Sequence, residues 1–248
     1  MKIGCMLGMA GKGLCTIDEY IAEAQQAETL GFDQVWMGQV FSTDAISMMT
    51  LLGRETQKIR LGTAVTPSYP RHPTSLALQA LTASAASDNR FDLGLGLSHK
   101  IVIEDMYGFS YDKPTRHMSE YLQVLKPLLA SEQCNFSGEQ YRVNAKMAVP
   151  GASRVPLLLA ALGPKMLELA GRYSDGTITW MTGPKTLADH IIPIITRAAQ
   201  ESGRSAPRIV ASLPLVITDD IDATRETLAR KIAMYGDIPS YTTMRERA

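Results

Sequence analysis

Short apolar runs recur along this chain at intervals of roughly 25–30 residues, each followed by a segment whose apolar residues step by threes and fours. A short continuous apolar run suits a strand covered on both faces, and a strand with a parallel neighbour needs a helix to carry the chain back. The pattern restricts the chain to repeated βαβ units around a parallel sheet. At 248 residues the length fits one large α/β barrel or two small domains, and the repeated rhythm favours the barrel over residues 1–248.

In order, the first strand is expected within Lys2–Gly8, ahead of a glycine-rich loop at 8–13. Thr16 and Asp18 then open a helix faced by Ile17, Ile21, Ala24 and Ala27. Gln34–Gly38 reads as the second strand, 43–57 as a helix and Ile59–Thr66 as the third strand. Pro67, Pro70 and Pro73 stiffen the approach to a helix over about Thr74–Ser87. Phe91–Leu97 is the fourth strand, and Gly94 and Gly96 on one of its faces call for another backbone or a flat ligand close by. The rhythm breaks once, in an insertion at about 98–154 with a helix over about Thr115–Ala130 and a polar excursion, Ser137–Tyr141, that forms a hairpin or a lid. Val155–Ala161, Thr177–Thr182 and Ile209–Thr218 supply strands five to seven, each with a helix behind it. A (β/α)8 barrel needs eight, so the eighth strand is apparently missing from this chain.

The fifth unit carries the clearest chemical signal. Val155–Ala161 runs into Leu162-Gly163-Pro164, where Gly163 can take backbone angles closed to other residues and Pro164 occupies a first helical position. Met166, Leu169, Ala170 and Tyr173 then give an apolar helix face. A bare glycine before free helix N–H groups is a place for an anion, a phosphate above all; an ordinary capped βα turn has the same sequence.

Lys plus Arg equals Asp plus Glu, 25 each, which points away from nucleic acid and acidic membrane surfaces and toward a small-molecule partner. Cys5, Cys15 and Cys134 are scattered and odd in number, with neither a disulfide framework nor a metal-ligand spacing. No run approaches the roughly 20 apolar residues of a spanning helix, and a soluble cytoplasmic protein is expected.

Five blocks, in order, carry a resemblance: AETLGFDQVWMG (27–38), KIRLGTAVTPSYPRHP (58–73), NRFDLGLGLSHK (89–100), SGEQYRV (137–143) and VPLLLAALGPKMLELAGRYSDGTITWMTGP (155–184). Together they resemble the luciferase-like monooxygenase family, in its branch of flavin- and deazaflavin-dependent oxidoreductases. The resemblance implies a TIM-like barrel, a homodimer, coenzyme F420 (or FMN) across the carboxyl ends of the strands, and no permanently bound metal. It implies F420-dependent hydride transfer to or from a small organic substrate. The alternatives are a reduced-FMN monooxygenase and a non-catalytic flavin- or deazaflavin-binding protein with a shortened barrel.

By the same resemblance the cofactor phosphate lies at Leu162, Gly163, Pro164, Lys165 and Met166, and a strained, often cis, peptide supports the ring near Val65–Ser68. Thr66 is then the ring-edge contact, Leu97, Ser98 and His99 touch the ring and its side chain, and Gln39 joins them after the second strand. One sugar-phosphate branch has a carboxylate where this chain has His99, and an Asp-His pair where it has Gln39-Val40, so that chemistry is not carried over. His99 is the proton-handling candidate, since an imidazole exchanges protons near neutral pH. His117 reads more readily as a surface residue of the insertion helix, and His72 as a brace for the helix after it. Lys165 and Lys185 sit at helix starts, where a cation opposes the dipole unless an anion is bound.

Overall fold

The structure is a computed structural model that describes residues 1–9, 14–39 and 41–246. Most of the glycine-rich loop at 8–13, and Val40, lie outside the described residues. The chain packs as two compact units, one comprising 1–160 with 173–175 and the other 161–172 with 176–248.

The first unit begins with β1 (Gly4–Met6), α1 (Ile17–Thr29), β2 (Gln34–Met37), α2 (Ala45–Glu55) and β3 (Arg60–Thr63). Thr16 caps α1 reciprocally: its hydroxyl accepts from the Glu19 N–H at 3.3 Å, while the Glu19 carboxylate accepts from the Thr16 N–H at 2.7 Å. A two-residue strand, β4 (Thr66–Pro67), leads to α3 (Pro73–Ala86) and β5 (Phe91–Gly96). Strands β1, β2, β3 and β5 are parallel neighbours in that order, and β5 pairs on its other side with β8 (Leu157–Ala160). Phe91, Leu93 and Leu95 are fully buried, as a strand covered on both faces requires.

The expected third strand, Ile59–Thr66, is two strands separated by a cis peptide between Ala64 and Val65. Leu61 pairs with Phe91 and Thr66 with Leu95, so one residue of this side is left over as a bulge against β5. The Thr63 hydroxyl fills the gap, donating to the Gly94 carbonyl at 2.8 Å and accepting from the Gly94 N–H at 2.9 Å. A Cβ on Gly94 would stand 1.9 Å from the Thr63 carbonyl oxygen, and one on Gly96 would stand 2.6 Å from Val65 Cγ2. The two glycines admit neighbouring protein, which leaves the flat ligand unnecessary as their explanation.

Between β5 and β8 the chain forms a π-helical turn (Val102–Met106), α4 (Pro114–Leu129) and an antiparallel hairpin of β6 (Gln133–Ser137) and β7 (Arg142–Lys146). Helix α4 packs against α3 and so continues the βα alternation; the true excess is the π-helical stretch and the hairpin.

In the second unit, α5 (Pro164–Tyr173) precedes β9 (Gly176–Trp180), which pairs in parallel with β10 (Arg208–Ser212). The buried side of α5 is Leu167, Leu169, Ala170 and Gly171, so Leu169 and Ala170 of the expected face are buried whereas Met166 and Tyr173 are only half-buried. Gly171 sets this phase: a Cβ there would stand 2.6 Å from the Ile195 carbonyl oxygen, so only glycine lets the next long helix approach. The single helix expected over Lys185–Ser202 is a turn, α6 (Pro184–Thr186), a π-helical turn (Leu187–Ile191) and α7 (Ile192–Glu201). Pro193, which has no N–H to donate, accounts for the break. Pro214 likewise stops β10 well short of the expected Thr218. Helices α8 (Ile221–Ile232) and α9 (Pro239–Glu246) follow, and among the described residues no eighth parallel strand does.

Candidate cofactor site

At the carboxyl ends of β4 and β5 the first unit gathers Thr66, Ser68, Leu97, Ser98 and His99. Thr66 is completely buried, and among the described residues its hydroxyl has no hydrogen-bond partner. Buried hydroxyls are normally satisfied, and leaving one bare costs about 1–3 kcal/mol, so this one marks a position where a ligand atom would relieve the deficit. Ser98 has a left-handed backbone (φ 67°) and its carbonyl accepts from the Tyr111 hydroxyl at 3.3 Å. His99 is half-buried and burial pushes its imidazole pKa down, so it is neutral and able to accept a proton at neutral pH. Its carbonyl takes the N–H groups of Val102 and Ile103, both at 3.0 Å, which starts the π-helical turn.

Gln39 is committed to the scaffold: its amide oxygen accepts from the Ala45 N–H at 2.9 Å, and its own N–H donates to the Val65 carbonyl at 3.1 Å. It ties the loop after β2 to the cis-peptide bulge. Arg71 pairs with Asp44, whose carboxylate also caps α2 through the Ser47 N–H at 2.8 Å. His72 is the cap of α3, accepting from the Thr74 N–H through Nδ1 at 3.4 Å, in agreement with its reading as a brace.

His117 overturns its surface reading, with only 4% of it exposed. Nε2 lies 2.9 Å from the Ser68 hydroxyl, Nδ1 lies 3.2 Å from the Gln140 amide oxygen, and the ring stacks on Tyr69 at 4.0 Å and 8°. Burial lowers its pKa to about 4, outweighing the Gln140 hydrogen bond and the nearby Glu120 charge. Glu120 accepts the N–H groups of Glu139, Gln140 and Tyr141 at 3.1, 2.8 and 3.2 Å. Burial alone would raise the Glu120 pKa; these three donors and the Arg116 charge bring it below the usual range. The excursion at Ser137–Tyr141 is a hairpin tip pinned by a carboxylate. Sequence reasoning missed the cluster because its members lie far apart along the chain; the one available signal was a Glu and a His three apart in a helix otherwise patterned for burial.

In the second unit, Leu162 lends its carbonyl to His190 Nε2 at 2.8 Å. Gly163 is exposed, a Cβ there would meet nothing within 4 Å, and its φ lies outside the left-handed region, so it does not use the backbone angles open to glycine alone. Its carbonyl accepts from the Leu167 N–H at 3.0 Å, which makes it the cap residue. Pro164 has no N–H, so the donors of the first turn that lack an intrahelical acceptor are those of Lys165 and Met166. They lie at the positive end of the helix dipole, in a turn where Lys165 is exposed. Lys185, by contrast, pairs with Asp189 at 3.5 Å.

The model of the luciferase-like monooxygenase family matches residues 2–247. The chain belongs to this family. It is 32% identical over 213 residues to a 5,10-methylenetetrahydromethanopterin reductase of Methanolobus tindarius, covering 85% of this chain and 64% of that protein. It is 30% identical over 253 residues to a putative coenzyme F420-dependent oxidoreductase of Mycobacterium tuberculosis, covering 95% of this chain and 72% of that protein. The chain thus spans about two thirds of the length of these relatives. In fold it resembles the coenzyme F420-dependent tetrahydromethanopterin reductase of Methanopyrus kandleri, with a TM-score of 0.78 over 94% of this chain and 72% of that one at 24% identity. The expected TIM-like α/β class is therefore correct.

Proposed function

We propose that this chain is an F420-dependent oxidoreductase that moves hydride between the deazaflavin and a small organic substrate, acting as one luciferase-like domain. The observation that carries the reading is the orphaned, fully buried Thr66 hydroxyl at the end of β4. Similarity over most of the chain to proteins named as F420-dependent supports the choice of cofactor. When bound, the deazaflavin supplies the hydride chemistry; the protein supplies orientation and electrostatics.

Thr66 would hydrogen-bond the ring edge, Leu97 and Ser98 would flank the ring, and the neutral His99 imidazole would take the proton that accompanies an oxidation. The N–H groups of Lys165 and Met166 would hold the phosphate, with Leu162, Gly163 and Pro164 shaping the turn and the Lys165 ammonium adding charge. Gln39 acts from behind, through the Val65 carbonyl.

A homodimer is the assembly proposed for this luciferase-like chain. Sedimentation of the protein tests it: a monomer at micromolar concentration removes this part. The three cysteines are unpaired, which supports a reducing compartment, the cytoplasm.

Titration of the protein with F420 and with FMN, followed by absorbance, tests the assignment. F420 is expected to respond, and Thr66→Val, nearly isosteric, to weaken it by about tenfold through loss of one hydrogen bond. A response to FMN alone would point to a reduced-FMN monooxygenase, and F420 binding without oxidation of the reduced cofactor by any carbonyl, imine or nitroaromatic tried would point to a binding protein.

A further inference from the structure

Few strand hydrogen bonds position the completely buried Thr66. Strand β4 is two residues long, pairing Thr66 with Leu95 and Pro67 with Gly96, and one more bond, from the Ser68 N–H to the Gly96 carbonyl at 2.9 Å, continues it. Beyond that the segment turns, with the Arg71 N–H donating to the Ser68 carbonyl at 3.1 Å. On the side of Ser68 away from this ladder stands His117.

The Ser68 hydroxyl is completely buried and bonds to His117 Nε2. Nδ1 faces both the Gln140 amide oxygen at 3.2 Å and the Tyr141 hydroxyl at 3.3 Å, while Nε2 faces the Ser68 hydroxyl at 2.9 Å, so each ring nitrogen is engaged by the segment on its own side. Gln140 is itself fixed, because Glu120 holds its N–H and those of both neighbours. Tyr69 lies flat on the imidazole and stacks on Tyr111 at 5.4 Å and 24°, and Tyr111 holds the Ser98 carbonyl. A hydrogen-bonded path therefore runs from the hairpin tip through one imidazole to the residue two after Thr66, and a stack of rings runs from the same imidazole to Ser98.

We infer that His117 is a positioning residue for the deazaflavin ring: the hairpin tip, acting through this imidazole, sets the Ser68 end of the segment whose other end carries the Thr66 hydroxyl. The inference rests on the proposed F420 reading. It gives the hairpin a role as a brace behind the cofactor ring. A buried imidazole with both nitrogens engaged and a ring on its face has few other orientations, so it transmits position well.

The test is a titration with F420, read by absorbance and by the circular dichroism induced in the bound chromophore, on the unmodified protein and on His117→Ala, His117→Gln, Gln140→Ala and the Ala/Ala double variant. His117→Ala is expected to weaken F420 by about tenfold and Gln140→Ala by about threefold. The double variant is expected to bind no more weakly than His117→Ala, because both act along one path. His117→Gln, which keeps a hydrogen-bonding group where Nε2 stands, is expected to restore most of the affinity and the induced dichroism. A role confined to stability would lower the melting temperature of folded His117→Ala while leaving affinity and dichroism at saturating F420 as they were, and that result overturns the inference alone. If His117→Ala does not fold, unchanged affinity in Gln140→Ala together with unchanged dichroism overturns it. No response of the unmodified protein to F420 removes the underlying reading and the inference with it.

Discussion

The two excursions between β5 and β8 are built in opposite ways. The hairpin tip is polar in sequence yet closely held, with three N–H groups on the buried Glu120, an Arg116–Glu139 ion pair and the Gln140–His117 bond. The π-helical stretch is apolar in sequence yet exposed: Ile103 alone is fully buried, while Ile101, Met106 and Phe109 are 66%, 57% and 46% exposed. Polarity therefore did not decide which excursion is anchored. A charged acceptor matched to several backbone donors fixes a loop better than apolar side chains with nothing to pack against.

The contrast is most open to attack at Glu120. Glu120→Ala strands three partly buried N–H groups at once and is expected to cost about 4 kcal/mol, read as a lower midpoint in urea unfolding. A loss below about 1 kcal/mol would mean that the hairpin tip is not pinned as described. Because the Glu120 carboxyl is held below its usual range, its contribution is complete above the ordinary value of 4.5 and is lost as the pH falls further.

His117 gives a somewhat smaller effect at milder acidity. Its pKa falls from 6.5 to about 4 on folding, so between those values the unfolded chain binds the extra proton. Stability is then complete above pH 6.5 and drops toward pH 4 by about 3 kcal/mol. Urea midpoints measured across that range for the protein and for His117→Gln check the sign and the source, since the variant is expected to lose most of the slope.

The smallest effect is expected in the π-helical stretch. Ile101→Ser and Met106→Gln should change stability by no more than about 0.5 kcal/mol, because these side chains bury little in the folded chain. Thermal unfolding of the two variants suffices, and a loss near that of Glu120→Ala would abolish the distinction between the excursions.

The sequence by itself determined the order of the strands and helices and the family. Those follow from local causes: period, caps such as Thr16, and breakers such as Pro164. The helix start at Gly163–Met166 was readable for the same reason, since an open turn before a proline needs no distant partner. What only the tertiary structure decided were contacts between residues far apart in the chain. The bulge after Thr63 filled the space beside Gly94, and Gly171 rotated α5 away from the face expected at Met166. Gln39 was taken up by Ala45 and Val65, and the partners of His117 were recruited from both sides of α4. Hydrogen-bond partners separated by tens of residues leave no periodic trace, because either residue alone is compatible with a solvated surface, and only packing settles which of them must be buried and paired.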